Sequence, residues 1–101
     1  MNLVLRSRNF RMAQSIREKV ERSIRKALQR FGDRITRLEV SLRNIARPNG
    51  KLGKEARCEV HIAHAGTIFV DASGKDYGST IRKVAEGIGS ALDRRRDRGQ
   101  G

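Results

Sequence analysis

Apolar residues recur along this chain at two rhythms, and each change of rhythm marks a new element. Leu3-Val4-Leu5-Arg6-Ser7-Arg8 alternates, with Leu3 and Leu5 on one side and Val4, Arg6 and Arg8 on the other, which predicts a strand. Asn9 to Met12 reads as a turn. Ile16, Val20, Ile24, Ala27, Leu28 and Phe31 then return at spacings of three and four. Such positions fall within one third of a helix circumference and predict an amphipathic helix. Ser15-Ile16-Arg17-Glu18 offers a capping box near its start, and Gly32 a stop at its end.

Alternation resumes from Thr36 to Ile45, with Leu38, Val40 and Leu42 inward and Arg37, Glu39, Ser41 and Arg43 outward. The stretch from Arg47 to Lys54 is rich in turn formers and carries three cations, which predicts a basic hairpin loop. Arg57 to Ala65 directs Cys58, Val60 and Ile62 inward. Gly66 turns the chain into Thr67 to Ser73, where Ile68, Val70 and Ala72 point inward. Asp76 is a suitable N-cap for a second helix, whose stripe is Tyr77, Ile81, Val84, Ala85, Ile88 and Leu92. Gly78, Gly87 and Gly89 each cost about 1 kcal/mol against alanine inside a helix, so packing must hold it together.

The order is β-α-β-β-β-α. A helical crossover makes the first two strands parallel, and the short later loops make the rest an antiparallel meander. Both helical stripes can cover one sheet face. The expected fold is therefore a two-layer α+β domain, a four-stranded mixed sheet with two helices on one side. Residues 1–93 form this domain. Arg94, Arg95, Arg96 and Arg98 surround the helix axis on all sides, so residues 94–101 are expected to leave it as a flexible basic tail.

Charge changes the picture most. The 101 residues hold 23 lysines and arginines against 11 acids, a net charge of +12. An excess of that size on a small body implies a polyanionic partner. Residues 11–34 alone hold Arg11, Arg17, Lys19, Arg22, Arg25, Lys26, Arg30 and Arg34 against three acids. Glu18 with Arg22 and Glu21 with Arg25 stand at the spacing that forms helical ion pairs, which accounts for only part of that charge. Four aromatic residues and no tryptophan argue against base stacking as the main source of affinity. Phosphate-backbone contact with structured RNA or DNA is the expectation.

Other chemistry is absent from the pattern. No serine has a placeable His/Asp arrangement, and no phosphate-cradling glycine loop occurs, so no enzyme is expected. Cys58 and His64 would share a strand face but lie about 20 Å apart at 3.3 Å per residue, too far for one zinc, and His61 points to the other face. Neither a metal site nor a cofactor is expected, and Cys58 reads as a small core residue. A lone cysteine suits a reducing compartment, and no apolar run is long enough for a membrane span or a secretory signal.

The whole chain resembles the ribosome hibernation-promoting factor and ribosome-associated inhibitor family, also called ribosomal subunit interface proteins. The resemblance is carried by Leu3-Val4-Leu5 with Arg8-Asn9-Phe10, by Ile16-Arg17-Glu18 with Val20, and by Phe31-Gly32-Asp33-Arg34-Ile35. Arg57-Cys58-Glu59-Val60, Val70-Asp71-Ala72-Ser73-Gly74-Lys75-Asp76, Ile81 and Leu92 continue it. The resemblance implies the fold derived above. It also implies a cytoplasmic, non-enzymatic protein that binds ribosomal RNA of the small subunit in stationary phase or stress, blocking the messenger and transfer RNA channel. By position it points to Arg17, Arg22 and Lys26 on the first helix and to Arg94 and Arg96 near the end.

The chain departs from the family at Gly87 and Ser90, where basic residues are usual, and at Gly78, where the usual tyrosine is shifted by one. Arg82 and Lys83 can supply that charge from a neighbouring turn. The extra C-terminal domain of long family members is not expected, nor is unaided ribosome pairing through it. The candidate RNA contacts are thus Arg17, Lys19, Arg22, Arg25, Lys26, Arg30, Arg82, Lys83, Arg94, Arg95, Arg96 and Arg98. The free protein is expected to be a monomer with neither a small-molecule substrate nor a membrane partner. A shape-reading module for double-stranded RNA, not tied to ribosomes, is the alternative.

Overall fold

The computed structural model describes residues 1–100, and the side chains of residues 1–94. Its elements are β1 (Asn2–Ser7), α1 (Gln14–Leu28), a 3-10 segment (Gln29–Arg34), β2 (Ile35–Ala46), β3 (Leu52–Ile62), β4 (Gly66–Gly74) and α2 (Tyr77–Gln100). The sheet runs β1-β2-β3-β4. β1 lies parallel to β2, with Leu3 opposite Leu38 and Leu5 opposite Val40, because α1 carries the chain back across the sheet before β2 begins. The other two pairings are antiparallel.

Period-two alternation puts Leu5, Leu38, Val40, Leu42, Ala56, Cys58, Val60, Ile62 and Val70 on one sheet face, and all are buried. Val20, Ile24 and Leu28 of α1 and Ile81, Val84, Ala85, Ile88 and Leu92 of α2 close over them as a single core. Leu38, Val60 and Ile88 have no exposed surface. Burying each such side chain contributes about 1.5–3 kcal/mol. Both helices therefore occupy one face of the sheet and leave the other open.

Local chemistry moves several boundaries. α1 starts at Gln14 with Ala13 as N-cap and no side-chain capping bond, so Ser15 lies inside the first turn and the capping box does not form. The helix stops at Leu28, and the 3-10 segment that follows tucks Phe31 into the core. Gly32 then takes φ 53°, ψ −133°, a conformation closed to residues with a Cβ. β3 begins at Leu52 rather than near Arg57, because Gly53 and Lys54 pair with Ile45 and Asn44 of β2. The basic hairpin shrinks to a turn over residues 47–51, closed by Arg47 N–H to the Lys51 carbonyl (2.9 Å) and Gly50 N–H to the Arg47 carbonyl (2.9 Å).

β3 also ends early, at Ile62, so His64 sits in the turn before β4 with φ 58° and not on a strand beside Cys58. Cys58 lies in the core, where burial and then the Asp71 carboxylate push its thiol up to about 12, leaving it unreactive. α2 opens on the Asp76 cap, whose Oδ1 accepts Ser79 N–H at 2.8 Å. The helix is continuous from there to Gln100. Gly87 explains how: a Cβ there would stand 2.7 Å from Val70 Cγ1, so glycine lets the helix settle onto β4. The side chains of Arg95, Arg96 and Arg98, on which the expected tail mostly rests, lie outside the described residues.

Candidate nucleic-acid interface

Charge is sorted between the two sides of the molecule. On the open sheet face, cross-strand register sets cations beside acids. Glu39 receives Arg37 at 3.2 Å and Arg6 at 3.8 Å, and Glu55 receives Arg43 at 2.7 Å and Arg57 at 3.9 Å. Glu39 also faces Glu59 across the β2–β3 ladder. The bond between the two carboxyls, and next to it Arg37, holds Glu39 below its usual value, while the same bond pushes Glu59 up. His61 Nε2 lies 3.8 Å from Glu59. The ligand atoms of Glu39, Glu59 and His61 come within 4.8 Å of one another, with the Arg37 guanidinium already supplying positive charge there.

On the helical side the described cations lack carboxylate partners. Among the described residues every ion pair lies on the open sheet face, and Lys19, Arg22 and Lys26 have no carboxylate within 4.0 Å. The expected Glu18–Arg22 and Glu21–Arg25 pairs are not formed at that distance. Long flexible side chains in water gain little from such contacts, so their heads stay hydrated and open to a stronger anion. Between the helices runs a shallow groove of about 710 Å³, to which α1 contributes Ser23 and Lys26, and α2 contributes Ile81, Arg82, Ala85 and Glu86. Arg30 enters it from the 3-10 segment. Lys26, Arg30 and Arg82 therefore converge on one hollow from three directions, with Glu86 as the acid beside them.

The remaining candidates disperse. Arg17 is half-buried and donates from Nη1 to the Leu5 carbonyl, tying α1 to β1. Arg25 donates to the Met1 carbonyl at 3.2 Å, on the same side. Lys83 Nζ reaches the Ser73 carbonyl at 3.0 Å, at the far end of β4. Arg94 is exposed on α2, well beyond the groove along the chain. These residues are not gathered into one site.

Two features escape sequence reasoning. Lys54, expected in the basic loop, is held 4.6 Å from both the Phe10 and Tyr77 rings and donates to Asn44 Oδ1, so it pins the segment after β1 rather than facing outward. Asn9 completes that lock through reciprocal 2.8 Å bonds with the Asn44 backbone. The second feature is a hollow on the open face lined by Arg8, Ser41, Arg43, Glu55 and Arg57, visible only once strand register is known.

A mixed four-stranded sheet carrying two helices on one side, with the chain order β-α-β-β-β-α, defines the fold class. Residues 3–100 match the family model described as Sigma 54 modulation protein / S30EA ribosomal protein, and the chain belongs to that family of ribosome-associated, non-enzymatic proteins. Two solved structures share the fold. A ribosomal subunit interface protein from Coxiella burnetii superposes with a TM-score of 0.72 at 16% identity, covering 96% of this chain and 99% of its own. The N-terminal domain of Protein Y from Thermus thermophilus gives 0.66 at 19% identity, covering 93% and 98%. No curated protein sequence matches the chain. Among the described residues no helix is long and apolar enough to cross a membrane.

Proposed function

We propose that this protein docks helices-first on ribosomal RNA of the small subunit and occludes the channel used by messenger and transfer RNA, silencing idle ribosomes in stationary phase or stress. The observation that carries this reading is the sorting of charge. Arg6, Arg37, Arg43 and Arg57 share the carboxylates of Glu39 and Glu55 on the open sheet face, whereas among the described residues Lys19, Arg22, Lys26, Arg30 and Arg82 on the helical side have no carboxylate within 4.0 Å. A surface of that kind recognises phosphates without reading bases. Family membership supplies the ribosome as the polyanion. The action is steric and needs no bond-making group, in keeping with a buried Cys58 whose thiol is raised to about 12.

Co-sedimentation with separated subunits tests the proposal. The protein is expected to travel with the small subunit at low salt. Replacing Lys19, Arg22 and Lys26 together by glutamine should leave the thermal midpoint within a few degrees and release the protein to the top of the gradient. Unchanged co-sedimentation of the triple variant would place the contact elsewhere, and equal binding to an isolated RNA duplex would favour a general double-stranded RNA module.

A further inference from the structure

Arg30 occupies a position that its own element does not explain. It leaves the 3-10 segment and crosses to α2, where Nη2 donates to the Ala85 carbonyl at 3.3 Å and the guanidinium lies 4.8 Å from the centre of the Phe31 ring. The Ala85 carbonyl belongs to the interior of a helix and is already within reach of the amide four residues on. It is open to a second donor because the residue at that position is Gly89. Helical side chains lean back over the preceding turn, so a side chain at 89 would lie across this carbonyl. A Cβ placed there would stand 3.2 Å from Arg30 Nη2 and 3.5 Å from Phe31 Cζ. Glycine in a helix interior is otherwise unfavourable, and nothing else at this position uses its conformational freedom.

We infer that Gly89 is a positioning residue, a notch in α2 that seats the Arg30 guanidinium so that, with Lys26 and Arg82, it forms a pre-ordered seat for one backbone phosphate of RNA between the helices. The inference rests on the docking mode proposed above. A guanidinium has five N–H donors, and one bond to Ala85 leaves the others for a phosphate. Holding it against Phe31 and Ala85 removes most of the rotamer freedom that a free arginine would lose on binding. Three cations borne on α1, the 3-10 segment and α2 then meet over one hollow, with Glu86 the acid on its wall. Lys26, Arg30 and Arg82 can each be named from the sequence as cations, but their meeting beside Gly89 cannot, because it depends on how the helices cross.

The test adds bulk and takes away no charge. Alanine and valine are both better helix residues than glycine, but the added atoms must shift the end of Arg30 and approach Phe31, so Gly89→Ala and Gly89→Val should unfold within a few degrees of the parent. Both should nonetheless bind purified small subunits more weakly, valine more than alanine. Loss of one phosphate contact predicts roughly tenfold weaker binding at 0.1 M salt, with the slope of log K against log salt reduced by about 0.7–0.9. Arg30→Gln should show the same loss, and adding Gly89→Val to it should change nothing further, because the two act through one contact. Parent-like binding by Gly89→Val, or additive losses in the double variant, overturns the notch while leaving the docking mode intact. Failure of the parent itself to bind small subunits overturns both. A lowered midpoint with an unchanged salt slope would reduce Gly89 to a packing residue and likewise overturn the inference.

Discussion

At Asp76 one carboxylate starts an entire helix, and its chemistry carries a pH signature. The Ser79 backbone N–H, and then the Ser79 hydroxyl, bind the ionised form and hold this carboxyl below its ordinary value of 3.8. A depressed folded value means the cap's contribution is present above pH 3.8 and is lost as pH falls through the lowered value. Asp76→Ala should therefore lower the thermal midpoint at pH 6, and the gap should close in strong acid. A gap that stays constant to pH 2 would show that the bond does not depend on charge. This cap is readable from the sequence because an acid followed by a helical stripe is a local signal. The Ser15 capping box reads equally well and is not used, since packing of Phe10 and Met12 against the core sets where the chain enters α1.

Elements are legible where alternation is clean and obscured where small or polar residues interrupt it. β2 and β4 appear within a residue of their expected limits, but the first five residues of β3 look like loop because Gly53 and Lys54 break the pattern. Pairing with β2 overrides that local preference. The same pairing brings Glu39 and Glu59 into contact, a like-charge neighbour that register alone reveals. Glu59 has its carboxyl raised above the usual 4.5 chiefly by its bond to Glu39. The sign is opposite to that of Asp76. Stability associated with Glu59 is complete below pH 4.5 and declines as pH rises through the raised value. Glu59→Gln should thus raise the melting temperature at pH 7, with the advantage vanishing near pH 4. Equal melting at both pH values would mean that His61 and Arg37 fully offset the repulsion.

Across the whole molecule, the fold class and the family were both open to sequence reading, because periodicity fixes the number of elements and one crossover fixes the parallel pair. The site was only half legible. Cations on α1 could be counted, yet their meeting with Arg82 needs the helices to be packed side by side, and the loss of Lys54 to an aromatic pair needs Phe10 and Tyr77 brought together from opposite ends of the chain. If about six phosphates are contacted, affinity for the small subunit should fall on the order of 10³-fold between 50 and 200 mM salt. Fluorescence anisotropy with labelled protein reads this directly, and a salt-insensitive affinity would rule out a phosphate-reading interface.

The neutralised sheet also determines what a docked copy leaves behind. A particle cationic on every side would glue two nucleic-acid bodies together, since whichever flank remained outside would attract another. Here Arg6, Arg37, Arg43 and Arg57 are already engaged by carboxylates on the rear surface. If it docks helices-first as proposed, such a molecule is an adhesive on one side only, capping the polyanion it lands on and turning an almost charge-balanced back toward the next one.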